Sequence, residues 1–216
     1  YSNIEIKKIL KEKKINFTYL DDKSLVNEIA KELSNGAVCG WMQGRMEFGP
    51  RALGNRSIIA DPRNKNMQKD LNLKIKFRES FRPFAPAILF EDSKDWFQLT
   101  NESPYMLLVS SVKKNKLLKN KITKGIKSLK EIRSIIPAVT HVDNSARIQT
   151  VTKSSNKLFY NLLKSFKKVT KCPILVNTSF NIKDEPIVCN PSDAINCFFK
   201  TGMDILVIGN YMITKK

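Results

Sequence analysis

Residues 156–181 read NKLFYNLLKSFKKVTKCPILVNTSFN. Leu158, Phe159, Leu162, Leu163 and Phe166 recur at helical spacing, so Asn156 to Val169 is expected to be an amphipathic helix. Ile174-Leu175-Val176 is a short apolar run, the pattern of a buried strand. A helix, a strand and then a polar loop in one stretch is how an α/β chain is written. The same alternation continues outward. Downstream, Pro191 introduces a helix from Ser192 to Phe199, and Ile205–Ile208 and Tyr211–Thr214 read as closing strands. Upstream, Ile4 to Lys14 reads as a helix and Asn16 to Leu20 as a strand. Asp21-Asp22 caps a helix from Ser24 to Leu33 that Gly36 ends. Ala37 to Met42 is a buried strand. Asn64 to Lys76 is helical in pattern, Arg82 to Pro86 is extended because two prolines forbid helix, and Ala87–Phe90 and Tyr105–Val112 read as strands. Ala138–Val142 and Ile148–Val151 bracket a turn at Asp143-Asn144-Ser145. The fold class expected is α/β, with a mixed twisted sheet and flanking helices.

A length of 216 residues, 42 % of them hydrophobic, supports one well-buried core. No apolar run approaches the ~18 residues of a membrane span. The first residue is Tyr1, which suggests a fragment of a longer protein. Cys39, Cys172, Cys189 and Cys197 have no CxxC spacing, and His141 is the one histidine, so a structural zinc site is not expected. Cys39 and Cys172 border apolar runs and read as small buried hydrophobes. Reduced thiols suit a cytoplasmic setting. The net charge of +18 invites a nucleic-acid reading. Much of it is lysine in surface-like segments, among them the low-complexity stretch Lys113 to Arg133, which reads as a solvated excursion. The arginines instead concentrate between Arg45 and Arg82.

Four segments carry the chemistry. Gly44 to Ser57 (GRMEFGPRALGNRS) places Arg45, Arg51 and Arg56 in a glycine-rich loop, and the broken pattern is read as loop as far as Ala60. Arginine forks match phosphate oxygens in pairs, and glycine lets backbone N–H groups approach an anion. A surface loop with Glu47 as ion-pair partner is the plain alternative. In Ile75-Lys-Phe-Arg78 an extended backbone would set Lys76 and Arg78 on one side and pack Phe77 on the other, with Arg82 following. A basic helix end that complements the helix dipole is the alternative. Arg147 opens a strand near His141, which reads as a core histidine with no proton-transfer role. In Asn177-Thr-Ser-Phe-Asn181, Ser179 and Asn181 fall on one face. They supply neutral hydrogen bonds for a phosphate or a planar carbonyl group. GxSxG is absent, so Ser179 is not read as a nucleophile.

Taken together, the run from Gly44 to Pro86, THVDNSARIQTV, NTSFN, EPIV and TGMDILVIGNY resemble the C-terminal domain of the O-carbamoyltransferases. That family includes the NodU-type nodulation enzymes and the carbamoyltransferases of tobramycin and cephamycin synthesis. The resemblance implies a YrdC/Sua5-like fold that uses ATP and carbamoyl phosphate to make carbamoyl adenylate. It also implies a Kae1-like N-terminal domain of the same polypeptide, which would pass the carbamoyl group to a hydroxyl of an acceptor. Lys76-x-Arg78 and Ser179-x-Asn181 match the family's KxR and SxN elements. Substrate-gripping positions fall on Arg51, Lys76, Arg82, Arg147, Ser179 and Asn181. Arg45, Arg56, Arg78, Arg82 and Thr178 are the implied nucleotide-binding residues. Magnesium is expected with ATP. Iron, held by histidines in the family, is expected only in the absent domain. Neither a membrane nor nucleic acid is an expected partner. A basic nucleic-acid-binding module and a non-catalytic docking domain are the rival readings. Asn144 departs from the family, where glycine is usual, and is expected to take a left-handed conformation.

Overall fold

The computed structural model describes residues 1–119 and 131–215. In chain order the elements are α1 (Asn3–Glu12), β1 (Thr18–Tyr19), α2 (Asp22–Ser34), β2 (Cys39–Met42), β3 (Arg56–Ala60), α3 (Met67–Lys74), β4 (Ala85–Leu89) and α4 (Ser93–Trp96). They continue with β5 (Leu108–Ser111), β6 (Ser145–Val151), α5 (Lys157–Thr170), β7 (Ile174–Ser179), α6 (Pro191–Lys200), β8 (Ile205–Ile208) and β9 (Tyr211–Thr214). The strands form one sheet in the order β1-β9-β8-β2-β3-β7-β4-β6-β5. The β2–β8 and β4–β6 pairs are parallel and the rest antiparallel, so the sheet is mixed, as expected.

Helix α5 shows how the sequence writes the packing. The Asn156 side chain caps it by accepting from the Phe159 amide at 3.1 Å, and Lys171 in the left-handed region (φ 62°) ends it. Its apolar stripe, Phe159, Leu162, Leu163 and Phe166, is buried. It packs on α2, which buries Leu25, Val26, Ile29, Ala30 and Leu33. Each such side chain stabilises the fold by about 1.5–3 kcal/mol. Cys39 and Cys172 are buried among the apolar residues, as read from the sequence. No helix among the described residues is long and apolar enough to cross a membrane.

The structure corrects several expectations. Residues 56–60 are not loop. They form β3, between β2 and β7, with every residue buried. An arginine next to glycine and asparagine hid this strand, because a cation at a strand start reads as surface. Arg56 is only 2 % exposed, and carbonyl groups, not water, satisfy it. The Lys76–Arg78 segment is not extended, since Phe77 is left-handed (φ 47°) and half exposed. The strand read as Tyr105–Val112 shortens to β5. Of the lysine-rich stretch, residues 120–130 lie outside the described residues, while Lys114–Lys116 form a 3-10 turn and Leu117 bridges Ser134. Asn144 does adopt the left-handed region (φ 64°), as expected.

Gly54 fixes where the arginine loop returns to the sheet. Its φ is +106°, and a Cβ there would lie 2.5 Å from the Phe159 ring. Gly54→Ala therefore combines backbone strain with a clash against the α5 core. Denaturant unfolding should show a loss of about 2–3 kcal/mol; a change below 0.5 kcal/mol would contradict this packing.

Candidate anion-binding site

The loop between β2 and β3 is organised by a carboxylate. Glu47 Oε1 accepts from the backbone N–H groups of Leu53 (2.6 Å), Asn55 (2.9 Å) and Arg56 (3.4 Å). It serves the backbone, so the ion-paired loop considered from sequence is not what forms. Arg45 and Arg51 are exposed, and neither makes an ion pair among the described residues. Arg56 behaves differently. Its Nε donates to the Cys189 carbonyl, Nη1 to those of Gln43 (2.8 Å) and Asn55 (3.0 Å), and Nη2 to those of Gly44 and Cys189. Its donor fork is spent on carbonyls of the chain itself, where Arg56 shapes the loop beside the exposed Arg45 and Arg51.

Lys76 is the buried cation, 5 % exposed. Its Nζ donates to the Ser179 carbonyl (2.5 Å), the Asn181 carbonyl (3.0 Å) and Asn181 Oδ1 (2.8 Å), and lies 3.3 Å from Ser179 Oγ. Ser179 Oγ in turn donates to Asn181 Oδ1 at 2.7 Å. The structure thus joins the KxR and SxN elements directly. The bend at Phe77 sends Arg78 to Asn72 Oδ1 (2.7 Å) and over the Phe84 ring. Arg82 pairs with Glu79 at 2.9 Å near the surface, where such a pair contributes little. These residues line one open cleft of about 440 Å³, with Lys183 and Asp184 at its rim. Burial, and after it the Arg78 charge, pushes the Lys76 ammonium down to about 7, while its oxygen partners pull the other way. Burial and then Arg82 likewise lower Arg78.

A second cluster sits along the sheet. Arg147 on β6 is lowered by burial and then by the charge of Arg51. The Nε of Arg147 is buried and has no hydrogen-bond partner. Asn177 on β7, 1 % exposed, is the residue that sequence reasoning missed. Its Nδ2 donates to the Ala52 carbonyl (3.1 Å) and to Gln149 Oε1 (2.7 Å), and Gln149 Nε2 donates to the Leu53 carbonyl (2.9 Å). The Arg51 loop is therefore seated on β6 and β7 by two amides. A polar residue at the fourth position of a buried strand was the available signal. Thr178, which the resemblance implies as a nucleotide-binding residue, alternates onto the opposite face from Asn177 and Ser179. His141 Nδ1 lies 3.3 Å from Ser145 Oγ, whose hydroxyl donates to Asp143 Oδ1, a turn-fixing cluster.

Fold and site together define an α/β domain with a nine-stranded mixed sheet and a cluster of arginine and lysine side chains beside β6 and β7. Comparison with known proteins gives that class a family. Residues 30–215 match the model of the Carbamoyltransferase C-terminus, and the chain belongs to this family. It is 51 % identical to the uncharacterized protein sll1178 of Synechocystis, over 100 % of this chain and 36 % of that protein. It is 44 % identical to nodulation protein NolO of Bradyrhizobium diazoefficiens, over 89 % of this chain and 33 % of NolO. With the 3'-hydroxymethylcephem-O-carbamoyltransferase of Amycolatopsis lactamdurans it shares 36 % identity, over 85 % of this chain and 32 % of that enzyme. The chain spans about a third of the length of these relatives. Among solved structures, full-length HypF in the phosphate- and nucleotide-bound form matches with a TM-score of 0.54 at 17 % identity, covering 88 % of this chain and 26 % of HypF.

The Lys76 shift has a measurable sign. The folded chain sheds this proton near pH 7, the unfolded chain near 10.5. Between those values the unfolded state holds more protons, so stability rises with pH. The slope is at most about 1.4 kcal/mol per pH unit. Unfolding curves from pH 7 to 10 should show this rise, and Lys76→Met should flatten it; an equal slope in both proteins would assign it elsewhere.

Proposed function

We propose that this domain binds carbamoyl phosphate and ATP and forms carbamoyl adenylate, which the rest of the polypeptide uses to carbamoylate a hydroxyl of an acceptor. The observation that carries this reading is the buried Nε of Arg147, which has no hydrogen-bond partner, beside a loop seated on β6 and β7 whose Arg51 makes no ion pair among the described residues. Neither guanidinium is ion-paired within the described residues, and phosphate oxygens fit two forks at once. The cleft of Lys76, Arg78 and Arg82 offers a second cationic site close along the same strand face. Two polyanionic substrates need two such sites to meet. The HypF structure of the same fold holds phosphate and nucleotide, and one relative is named as transferring carbamoyl to oxygen.

The chemistry balances without a covalent step on the protein. Carbamoyl phosphate, water and ATP give carbamoyl adenylate, phosphate and pyrophosphate. A P–O bond of carbamoyl phosphate breaks with water, and the freed carbamate oxygen displaces pyrophosphate from the α-phosphorus. Arg51 and Arg147 would hold the phosphate that leaves first. Arg78 and Arg82 would hold the triphosphate, and Ser179 and Asn181, fixed by Lys76, would orient the reacting groups. Positioning and charge neutralisation supply the acceleration. Among the described residues no three His, Cys, Asp or Glu gather as a metal site. Magnesium would arrive with the triphosphate. Arg45, exposed on the same loop, would approach the nucleotide when it binds.

Carbamoyl-phosphate-dependent exchange of pyrophosphate into ATP tests this reading on the full polypeptide, without any acceptor. Arg51→Ala and Arg147→Ala should each lower the exchange by about 100-fold or more. Exchange that survives both changes at the wild-type rate would refute the assignment.

A further inference from the structure

The last turn of α3 buries an asparagine. Asn72 is 0 % exposed, and asparagine is a weak helix former whose side chain competes for backbone groups. Here that side chain reaches beyond its own helix. Nδ2 donates to the carbonyls of Gln68 (2.9 Å), Ser80 (3.2 Å) and Arg82 (2.8 Å). Oδ1 accepts from Arg78 Nε at 2.7 Å. Carbonyls only accept and a guanidinium only donates, so all four contacts fix the same orientation of the amide. The backbone tightens the grip, because the Arg78 N–H donates to the Asn72 carbonyl at 3.0 Å.

One amide therefore touches both arginines of the open cleft. It holds Arg78 by the side chain and Arg82 by the backbone of the turn that carries it. Gln68, one turn earlier on α3, donates to the Phe81 (2.9 Å) and Arg82 (3.2 Å) carbonyls and ties the same turn. The Arg78 Cζ lies 5.1 Å from the centre of the Phe84 ring. With Nε held from one side and one face of the plane covered, the two terminal nitrogens are left for the cleft. They meet no acceptor among the described residues, and Arg78 makes no ion pair there. The chemistry of Oδ1 matters at this point. A carboxylate would orient Arg78 equally well but would cancel its charge. A neutral amide oxygen orients the fork and leaves the charge for a ligand.

We propose that Asn72 is a positioning residue of this cleft, aiming the Arg78 fork at an incoming anion while leaving it un-neutralised. This role rests on the reading of the cleft as the triphosphate site, and it adds what sets the direction of the fork. Asn72, sealed beneath Arg78 and the Ser80–Arg82 turn, does not meet the ligand itself. Because the fork is aimed before a ligand arrives, binding has little side-chain freedom left to remove.

Steady-state pyrophosphate exchange by the full polypeptide tests this, with the KM for ATP and the KM for carbamoyl phosphate read separately. Arg78→Lys keeps the charge and removes the fork, so the ATP KM should rise about tenfold or more. A wild-type ATP KM in Arg78→Lys overturns the role of Asn72, whether or not any Asn72 variant folds. Asn72→Ala should raise the ATP KM by a similar factor and leave that for carbamoyl phosphate within about twofold. Combined with Arg78→Ala, it should add no more than about threefold to the worse single change. Losses that multiply in a folded double variant, or equal rises for both substrates, would make Asn72 a purely structural residue and overturn the proposal. Arg82→Ala separates the two readings. An ATP KM that rises there but not in Arg78→Lys keeps the triphosphate cleft and removes the Asn72 role, whereas a wild type without exchange removes both.

Discussion

A guanidinium taken out of water must have its N–H groups answered, and the structure depends on how Arg56 achieves this. Its donors close on carbonyls of Gln43, Gly44, Asn55 and Cys189. Those four residues are the exit of β2, the entry to β3 and the approach to α6. One side chain therefore gathers both ends of the arginine loop and a segment 133 residues away in sequence. An unanswered buried charge would cost several kcal/mol, so this geometry tolerates little drift. The loop that carries Arg45 and Arg51 is held at its root while its outer residues remain exposed.

Lys76 plays the corresponding part at the other end of the face. It stands at the close of α3 and is received by oxygens at the end of β7. The lysine and the Ser179–Asn181 pair hold each other in place, so neither can be understood alone. Between Arg56 and Lys76 runs β7, whose residues alternate between an apolar side and the polar row of Asn177 and Ser179. Arg147 shares the face of this row, and Arg56 and Lys76, held by neutral oxygens, frame it.

Much of this was legible in the sequence. The α5 stripe, the β7 run and its polar exit, and the Asp21, Asn156 and Gly36 punctuation follow local rules that packing reinforced. Lys76, Ser179 and Asn181 were grouped by motif, and they do converge. β3 was illegible because its first residue is an arginine, and only long-range carbonyls make that burial tolerable. The polar end of β7 was read as loop, because the run was taken to close at Val176, three residues early. Asn177 and Gln149 lie inside the NTSFN and THVDNSARIQTV segments, yet nothing local marks them as anchors of the arginine loop. Their importance comes from two backbone carbonyls more than 90 residues away, a relation no local pattern contains.

The grip of Glu47 on the amides of Leu53, Asn55 and Arg56 has one more consequence. It pins the span from Phe48 to Ala52 shut at its base, like a stone held in a ring. Chain length within that span is then a nearly independent variable. Closing a longer loop costs entropy that grows only logarithmically, and the clasp itself would not have to change. An engineer could lengthen the stretch from Phe48 to Pro50 while leaving Arg51, the Ala52 anchor, the sheet and the register that Arg56 sets untouched.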